Sequence, residues 1–304
     1  MEMDKKWKKF LDEYKFIGNI ESYKTDKNEI LFKTSIKTIK IILLSEKIFR
    51  LRIYDLDDPS PDYSWAVIEQ EFKNIDFDLQ DETEYLKIST KEIILIIEKT
   101  PFRLIVKDKE DVIWEDSAPA GFGWNDKELI YIKKLPEEEH FFGFGEKTGT
   151  LDKRGYHYIM KTREAVGYQG KTDPLYQSHP FFIGIKSGKS YGVFLDNTWT
   201  TFFDMGKKFD DHYFFGANNG ELNLYFLYGP SMKEVIENYT ELIGRILLPP
   251  VWSLGFFQCK WGYKNQKKVK YVASELRNRE IPADSIVLDI DYMDGFRVFT
   301  WNEK

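Results

Sequence analysis

Between residues 30 and 227 the chain is a succession of short apolar runs with a period of two, and that pattern constrains the fold most. Ile30 and Phe32 alternate with polar residues, and further runs fall at 39–44, 48–54, 85–88, 93–97, 102–106 and 112–114. Others follow at 181–185, 191–195, 200–203, 212–215 and 222–227. A period of two places alternate side chains on one face of a strand. Turn signals separate the runs: Asp57-Asp58-Pro59, the charged stretch 107–111, Ser187-Gly188-Lys189 and Asn219-Gly220. Many short strands at close spacing predict an all-β sandwich. One helix precedes it: Trp7, Phe10, Leu11 and Tyr14 are spaced to share a helical face within 4–16.

After residue 230 the pattern changes. Ser231 and Glu234 form a capping box, with Val235, Ile236, Tyr239, Leu242 and Ile243 as the apolar stripe and Gly244 at the far end. Pro249-Pro250 stops the helix and marks a boundary. A strand at 252–257, a helix at about 266–280 and a strand at 285–291 then make one β-α-β unit. The predicted fold is therefore mainly β. Residues 1–248 form a β-sandwich domain with a closing helix near 231–244, and 249–304 begin a TIM (β/α)8 barrel. Such a barrel needs roughly 200 residues or more, and 54 follow Pro250. The expectation is an incomplete, truncated barrel whose exposed edges make the last 50-odd residues disordered or prone to aggregate.

The last strand carries the chemistry. Ile286, Val287 and Leu288 are an apolar run of the kind buried on both faces of a parallel sheet. The run ends in Asp289, Asp291 and Asp294, and barrel enzymes hold their active sites at the C-terminal ends of such strands. On an extended strand Asp289 and Asp291 point to the same face. The plain alternative is a strand end with acidic turn residues.

Other classes find little support. The net charge of −6 has its acids and bases interspersed, so nucleic acid is a poor partner. The only cysteine, Cys259, leaves no internal disulfide, which fits a reducing compartment and predicts a cytoplasmic protein. No signal peptide is evident, and no apolar run approaches the roughly 20 residues of a membrane helix. Phe141-Phe-Gly-Phe-Gly-Glu146 starts like a phosphate loop, but Thr148 stands where the third glycine belongs, so a bend in the sandwich is expected. The histidines, His140, His157, His179 and His212, lack metal-ligand spacing, and neither metal nor organic cofactor is expected.

LDIDYMDGFRVFTW at 288–301 resembles the second barrel strand of glycoside hydrolase family 31, the retaining α-glucosidases and their relatives. FFGFGEK (141–147), TDPLYQSHPFFIG (172–184), YGVFLDNT (191–198), YFLYGPS (225–231) and LPPVWSLGFFQCKWGYKN (248–265) resemble further family blocks in the family's order. The resemblance is strong from about residue 140 and only architectural before that.

It implies a galactose-mutarotase-like sandwich, a catalytic barrel and terminal α-linked glucose as substrate. Retaining hydrolysis needs two carboxylates about 5–5.5 Å apart. The family places both on later barrel strands, so no catalytic residue is expected in residues 1–304 and these residues alone are expected to be inactive. Asp289 is implied to hydrogen-bond sugar hydroxyls, a task that suits a carboxylate because it can accept from two at once. Ile290 would press on the ring edge, and Trp261 would form an apolar wall. Asp291 is a further candidate contact, although Asp291 and Asp294 also suit turn ordering or pairing with basic groups. Glu164 falls where many relatives have an aspartate after Asn-Thr or Asn-Arg. Here it is one methylene longer, and Thr162 replaces the Asn. Asp173 and Tyr176, in the same loop region, read as structural. The implied partner is an oligosaccharide with α-linked glucose. The alternative is a non-catalytic carbohydrate- or partner-binding β-sandwich.

Overall fold

The computed structural model describes residues 5–56, 61–68, 74–119 and 121–303, and the expected turn at 57–59 lies outside them. The chain divides into two compact units, residues 1–244 and 245–304.

In the first unit the period-two runs form three antiparallel sheets. The eight-stranded sheet runs in the order His140–Gly143, Phe181–Lys186, Lys189–Leu195, Leu222–Tyr228, Ile48–Asp55, Lys37–Leu43, Glu29–Lys33, Ser22–Asp26. The six-stranded sheet runs Lys15–Phe16, Phe122–Trp124, Leu129–Lys134, His212–Ala217, Thr201–Asp204, His157–Met160. A five-stranded meander, from Asp78–Asp81 to Val112–Glu115, completes the unit.

One core joins all three sheets and includes Phe32, Phe49, Ile97, Leu104, Phe182, Phe215 and Phe226. Every residue of Leu222–Tyr228 is buried. Leu222, Leu224, Phe226 and Tyr228 face that main core, whereas Tyr225 and Leu227 belong to a second cluster on the other side of the sheet. Two helices make double-sided burial possible. Helix α1 (Lys5–Leu11) lays Trp7, Phe10 and Leu11 against Ile130, Ile132, Phe202 and Phe214 of the six-stranded sheet. Helix α2 (Met232–Ile243) covers the eight-stranded sheet with Val235 and Leu242, and its Tyr239 ring stacks on Phe181 at 3.8 Å. The Ser231 hydroxyl accepts from the Glu234 amide while the Glu234 carboxylate accepts from the Ser231 amide, so the capping box is complete. Gly244 ends the helix at φ 101°, a conformation costly for a residue with a Cβ.

The core also holds charge. Lys133 Nζ lies 2.6 Å from Asp116 Oδ1 with both side chains fully buried, and the ammonium sits 3.1 Å from the Trp114 ring centroid. Nearby, the Trp114 indole donates to the Tyr213 hydroxyl at 2.6 Å, that hydroxyl lies 3.0 Å from the one on Tyr191, and Tyr191 donates to the Glu139 carboxylate. This chain of partners satisfies groups that burial would otherwise penalise. The Gly-rich stretch at 143–145 is the expected bend, with φ of 115°, 64° and 66°.

In the second unit, strand Phe257–Cys259, helix α3 (Gln266–Asn278) and strand Ser285–Val287 form a β-α-β unit, its strands parallel with Phe257 opposite Ser285. The expected strand at 252–257 is instead a 3-10 turn at Val251–Leu254 followed by the three-residue strand. Pro250 causes this: its carbonyl accepts from the Ser253 amide at 2.9 Å and the Ser253 hydroxyl at 2.7 Å, closing a local turn before any strand begins. The apolar run at 286–288 is not enclosed: Ile286 and Leu288 are half-buried and Val287 is exposed. None of the α3 residues is buried, and Ile246, Leu247, Leu248 and Val251 stand 87–94% exposed. Among the described residues no helix is long and apolar enough to cross a membrane.

Candidate functional site

The acidic turn after Ser285–Val287 departs from an extended strand. Pairing stops at Val287, and Asp289 adopts the left-handed conformation, φ 63°. Aspartate tolerates that region better than most residues. The alternation argument for Asp289 and Asp291 therefore does not apply, because the backbone between them is not extended. Another interaction organises the turn: the Trp261 indole donates to Asp291 Oδ1 at 3.1 Å. Trp261 follows the first strand of the β-α-β unit and Asp291 follows the second, so the bond ties the two strand ends together. Trp261 remains 67% exposed, enough to leave much of its ring open to a ligand. Asp289 is half-buried and Ile290 is 39% exposed beside it. Asp294 pairs with Arg297, and its amide donates to the Thr300 hydroxyl at 3.0 Å, which orders the following turn.

A cleft of about 580 Å³ opens in this unit between the N-terminus of α3 and the segment after the acidic turn. Tyr263, Asn265, Asp291, Tyr292 and Trp301 line it. Asn265 caps α3 by accepting from the Lys268 amide at 2.9 Å, and Tyr292 and Trp301 place their rings 5.2 Å apart. The lining combines aromatic faces with amide and carboxylate groups, and the volume falls within the range of ligand pockets, about 300–1,000 Å³.

Glu164 belongs to the first unit, on the loop between strands His157–Met160 and Phe181–Lys186, and it is exposed. The loop is built around Asp173. Its Oδ2 accepts from the Ile159 amide at 2.6 Å, and its Oδ1 takes the Lys147 ammonium at 2.6 Å. Lys147 also donates to the Ile159 carbonyl at 2.7 Å. Closer to Glu164, the Arg163 amide donates to the Leu175 carbonyl at 2.9 Å, and Ala165 and Leu175 are buried on either side. The hydroxyls of Thr162 and Ser178 lie 3.4 Å apart. Sequence reasoning missed Lys147. Its signal was its place two residues after Gly145, at the exit of the bend.

The histidines serve local roles. His140, His157 and His212 each pair with an aspartate, Asp152, Asp204 and Asp211. His179 is exposed, with Nε2 2.8 Å from Gln177 Oε1. Its ring covers Gly145, where a Cβ would meet it at 2.2 Å. Among the described residues no group of three His, Cys, Asp or Glu side chains could hold a metal ion.

A wholly antiparallel sandwich flanked by helices, followed by a parallel β-α-β unit with acids at its strand end, defines a protein of the sandwich-plus-barrel class. Residues 38–204 match the Glycosyl hydrolase 31 N-terminal galactose mutarotase-like domain, and residues 246–304 match the Glycosyl hydrolases family 31 TIM-barrel domain. The chain belongs to glycoside hydrolase family 31. It is 34% identical over 290 residues to Alpha-glucosidase 2 of Bacillus thermoamyloliquefaciens, covering 95% of this chain and 37% of that protein. It is 29% identical to Alpha-xylosidase 1 of Arabidopsis thaliana, covering 94% of this chain and 32% of that protein. The solved structure of a Flavobacterium johnsoniae dextranase complexed with isomaltotriose superposes with a TM-score of 0.87 at 34% identity, covering 94% of this chain and 36% of that one. The chain thus spans about a third of the length of these relatives.

Proposed function

We propose that these residues are the sandwich and barrel start of a retaining α-glucosidase-type hydrolase that removes terminal α-linked glucose from oligosaccharides. On this reading the domains are residues 1–248 and 249–304. Asp289, Ile290, Trp261 and Asp291 form part of the wall that holds the sugar, and Glu164 reaches substrate from the sandwich loop. None of these residues is assigned as nucleophile or acid/base.

The observation that carries the reading is the tie between Trp261 and Asp291. It holds an indole and one carboxylate together at paired parallel strand ends, the position barrel enzymes use for substrate. Asp289 can accept from two vicinal hydroxyls while the indole takes an apolar sugar face. The dextranase with bound isomaltotriose supports an α-glucan as the ligand class.

The test is hydrolysis of a chromogenic α-glucoside and of isomaltotriose by the protein purified from its native source, with its intact mass recorded. The expected outcome is a mass well above 36.1 kDa, release of glucose in the α configuration, and loss of turnover in Asp289→Ala. Turnover unchanged in that variant would overturn the assignment of Asp289.

A further inference from the structure

The loop that carries Glu164 leaves strand His157–Met160 and returns at Phe181–Lys186. Among the described residues no hydrogen bond or ion pair holds the Glu164 carboxylate. Glutamate is a long side chain with many rotamers, so where its carboxylate can reach is decided by the backbone beneath it.

That backbone is braced across its own width. The two arms of the loop run side by side: the Arg163 amide donates to the Leu175 carbonyl at 2.9 Å, and the hydroxyls of Thr162 and Ser178 lie 3.4 Å apart. The tip closes on itself, with the Thr172 amide donating to the Gln169 carbonyl at 2.9 Å and the Gln169 amide to the Thr172 hydroxyl at 2.9 Å. A loop cross-linked in this way shifts as one piece, so its place is set where it is anchored.

Two anchors lie on one stretch, the bend at 143–147. Phe144 fixes the bend in the core. Its ring is wholly buried against Tyr158, Phe182 and Phe203, and its amide donates to the Phe181 carbonyl at 2.9 Å. On one side of Phe144, His179 lays its ring on Gly145, so closely that a Cβ there would lie 2.2 Å from ring carbon Cδ2 and 2.8 Å from Cγ. Gly145 has φ 66°, so both its conformation and this close approach call for glycine. On the other side, Lys147 binds Asp173 at 2.6 Å, and the second oxygen of Asp173 takes the Ile159 amide where the loop departs. The bend thus grips the returning arm at His179 and the loop interior at Asp173.

We infer that the bend at 143–147 positions the substrate-binding loop: His179, through Gly145, and Asp173, through Lys147, set where Glu164 meets the sugar. The inference rests on the role proposed above for Glu164. His179 and Asp173 are positioning residues and are assigned no contact with substrate. A loop ordered before the sugar arrives spares the cost of ordering it on binding.

Steady-state hydrolysis of isomaltotriose by the full-length protein tests this in a double-mutant cycle. Glu164→Ala is expected to raise KM by about tenfold, the loss of one charged hydrogen-bond partner, with kcat unchanged because Glu164 takes no part in bond cleavage. His179→Ala is expected to raise KM by about fivefold at unchanged kcat, less than the loss of Glu164 itself. His179→Phe keeps a flat ring over Gly145 and is expected to restore most of the wild-type KM. The double variant His179→Ala with Glu164→Ala is expected to match Glu164→Ala alone, because nothing is left to position. Asp173→Asn is expected to follow the same pattern. It disturbs a buried ion pair, whereas His179→Ala leaves that pair intact and keeps the test independent of core stability. Additive losses in the double variant overturn the inference, as does a fall in kcat at unchanged KM or a wild-type KM in His179→Ala. Failure of the proposed function reads differently: Glu164→Ala would keep the wild-type KM, or neither the wild type nor any variant would release glucose, and the inference falls with either result.

Discussion

Lys147 and Asp173 form an ion pair at 2.6 Å that clamps both backbone groups of Ile159, the lysine on its carbonyl and the aspartate on its amide. Ile159 lies in His157–Met160, the edge strand of the six-stranded sheet. An edge strand presents unpaired amides and carbonyls. Here two side chains satisfy them and, in doing so, root the loop that carries Glu164.

Removing one partner should therefore loosen the loop and cost stability. The Lys147 side chain is wholly buried and that of Asp173 is 16% exposed, so Lys147→Met leaves a carboxylate largely enclosed without its counter-ion. The expected loss is about 3 kcal/mol in denaturant unfolding, together with faster tryptic cleavage at Lys161 and Arg163. Wild-type cleavage rates in the variant would show that the pair does not root the loop.

The ion pair inside the core should behave in the same way and more strongly. Lys133 and Asp116 are both fully buried, and Asp116 Oδ2 also accepts from the Leu104 amide at 2.8 Å. Lys133→Met is expected to destabilise by about 3–5 kcal/mol, and pairing it with Asp116→Asn should recover part of that loss. Chemical denaturation of both variants measures the coupling, and strict additivity would refute it.

Glu139 predicts a pH dependence. Burial pushes its carboxyl from about 4.5 up to about 7, against the opposing hydrogen bond from Tyr191. The folded state then keeps a proton that the unfolded chain releases near 4.5, so the folded state binds more protons between these values. Stability should fall as pH rises from about 4.5 to about 7, by about 3 kcal/mol if the full shift is expressed. Thermal melts across that range should show the slope, and Glu139→Gln should flatten it. An equal slope in the variant would place the titration elsewhere.

The second unit should open first. It has a two-stranded sheet and a helix with no buried residue, so little apolar contact opposes local unfolding. In the 304-residue chain, limited trypsin digestion is expected to cut at Lys264, Lys267 or Arg277 before it cuts within the strands of the first unit. Equal resistance of both units would contradict this.

The capping box offers a smaller test on well-defined ground. Ser231→Ala removes the acceptor for the Glu234 amide and should cost about 1 kcal/mol. Since α2 covers the outer face of the eight-stranded sheet, the loss should appear in global unfolding, and a change confined to local exchange at 231–235 would show α2 to be uncoupled from the sheet.

Much of this was legible in the chain itself. Period two demands strands, the spacing of Trp7, Phe10 and Leu11 demands a helical face, and Ser231 with Glu234 marks a helix start, because each is decided by residues within a turn or two of one another. The order of motifs from Phe141 to Trp301 was enough to indicate the family. Most of what remained hidden depends on residues distant in sequence, and two local turns also departed from the expected strands. Whether 252–257 would be a strand turned on bonds to the Pro250 carbonyl, and the apparent alternation of Asp289 and Asp291 failed once Asp289 left the extended region. The meetings of Trp261 with Asp291 and of Lys147 with Asp173 are products of strand pairing and loop closure. Local periodicity reports which face a side chain takes, and only the packed chain determines which other side chain it meets there.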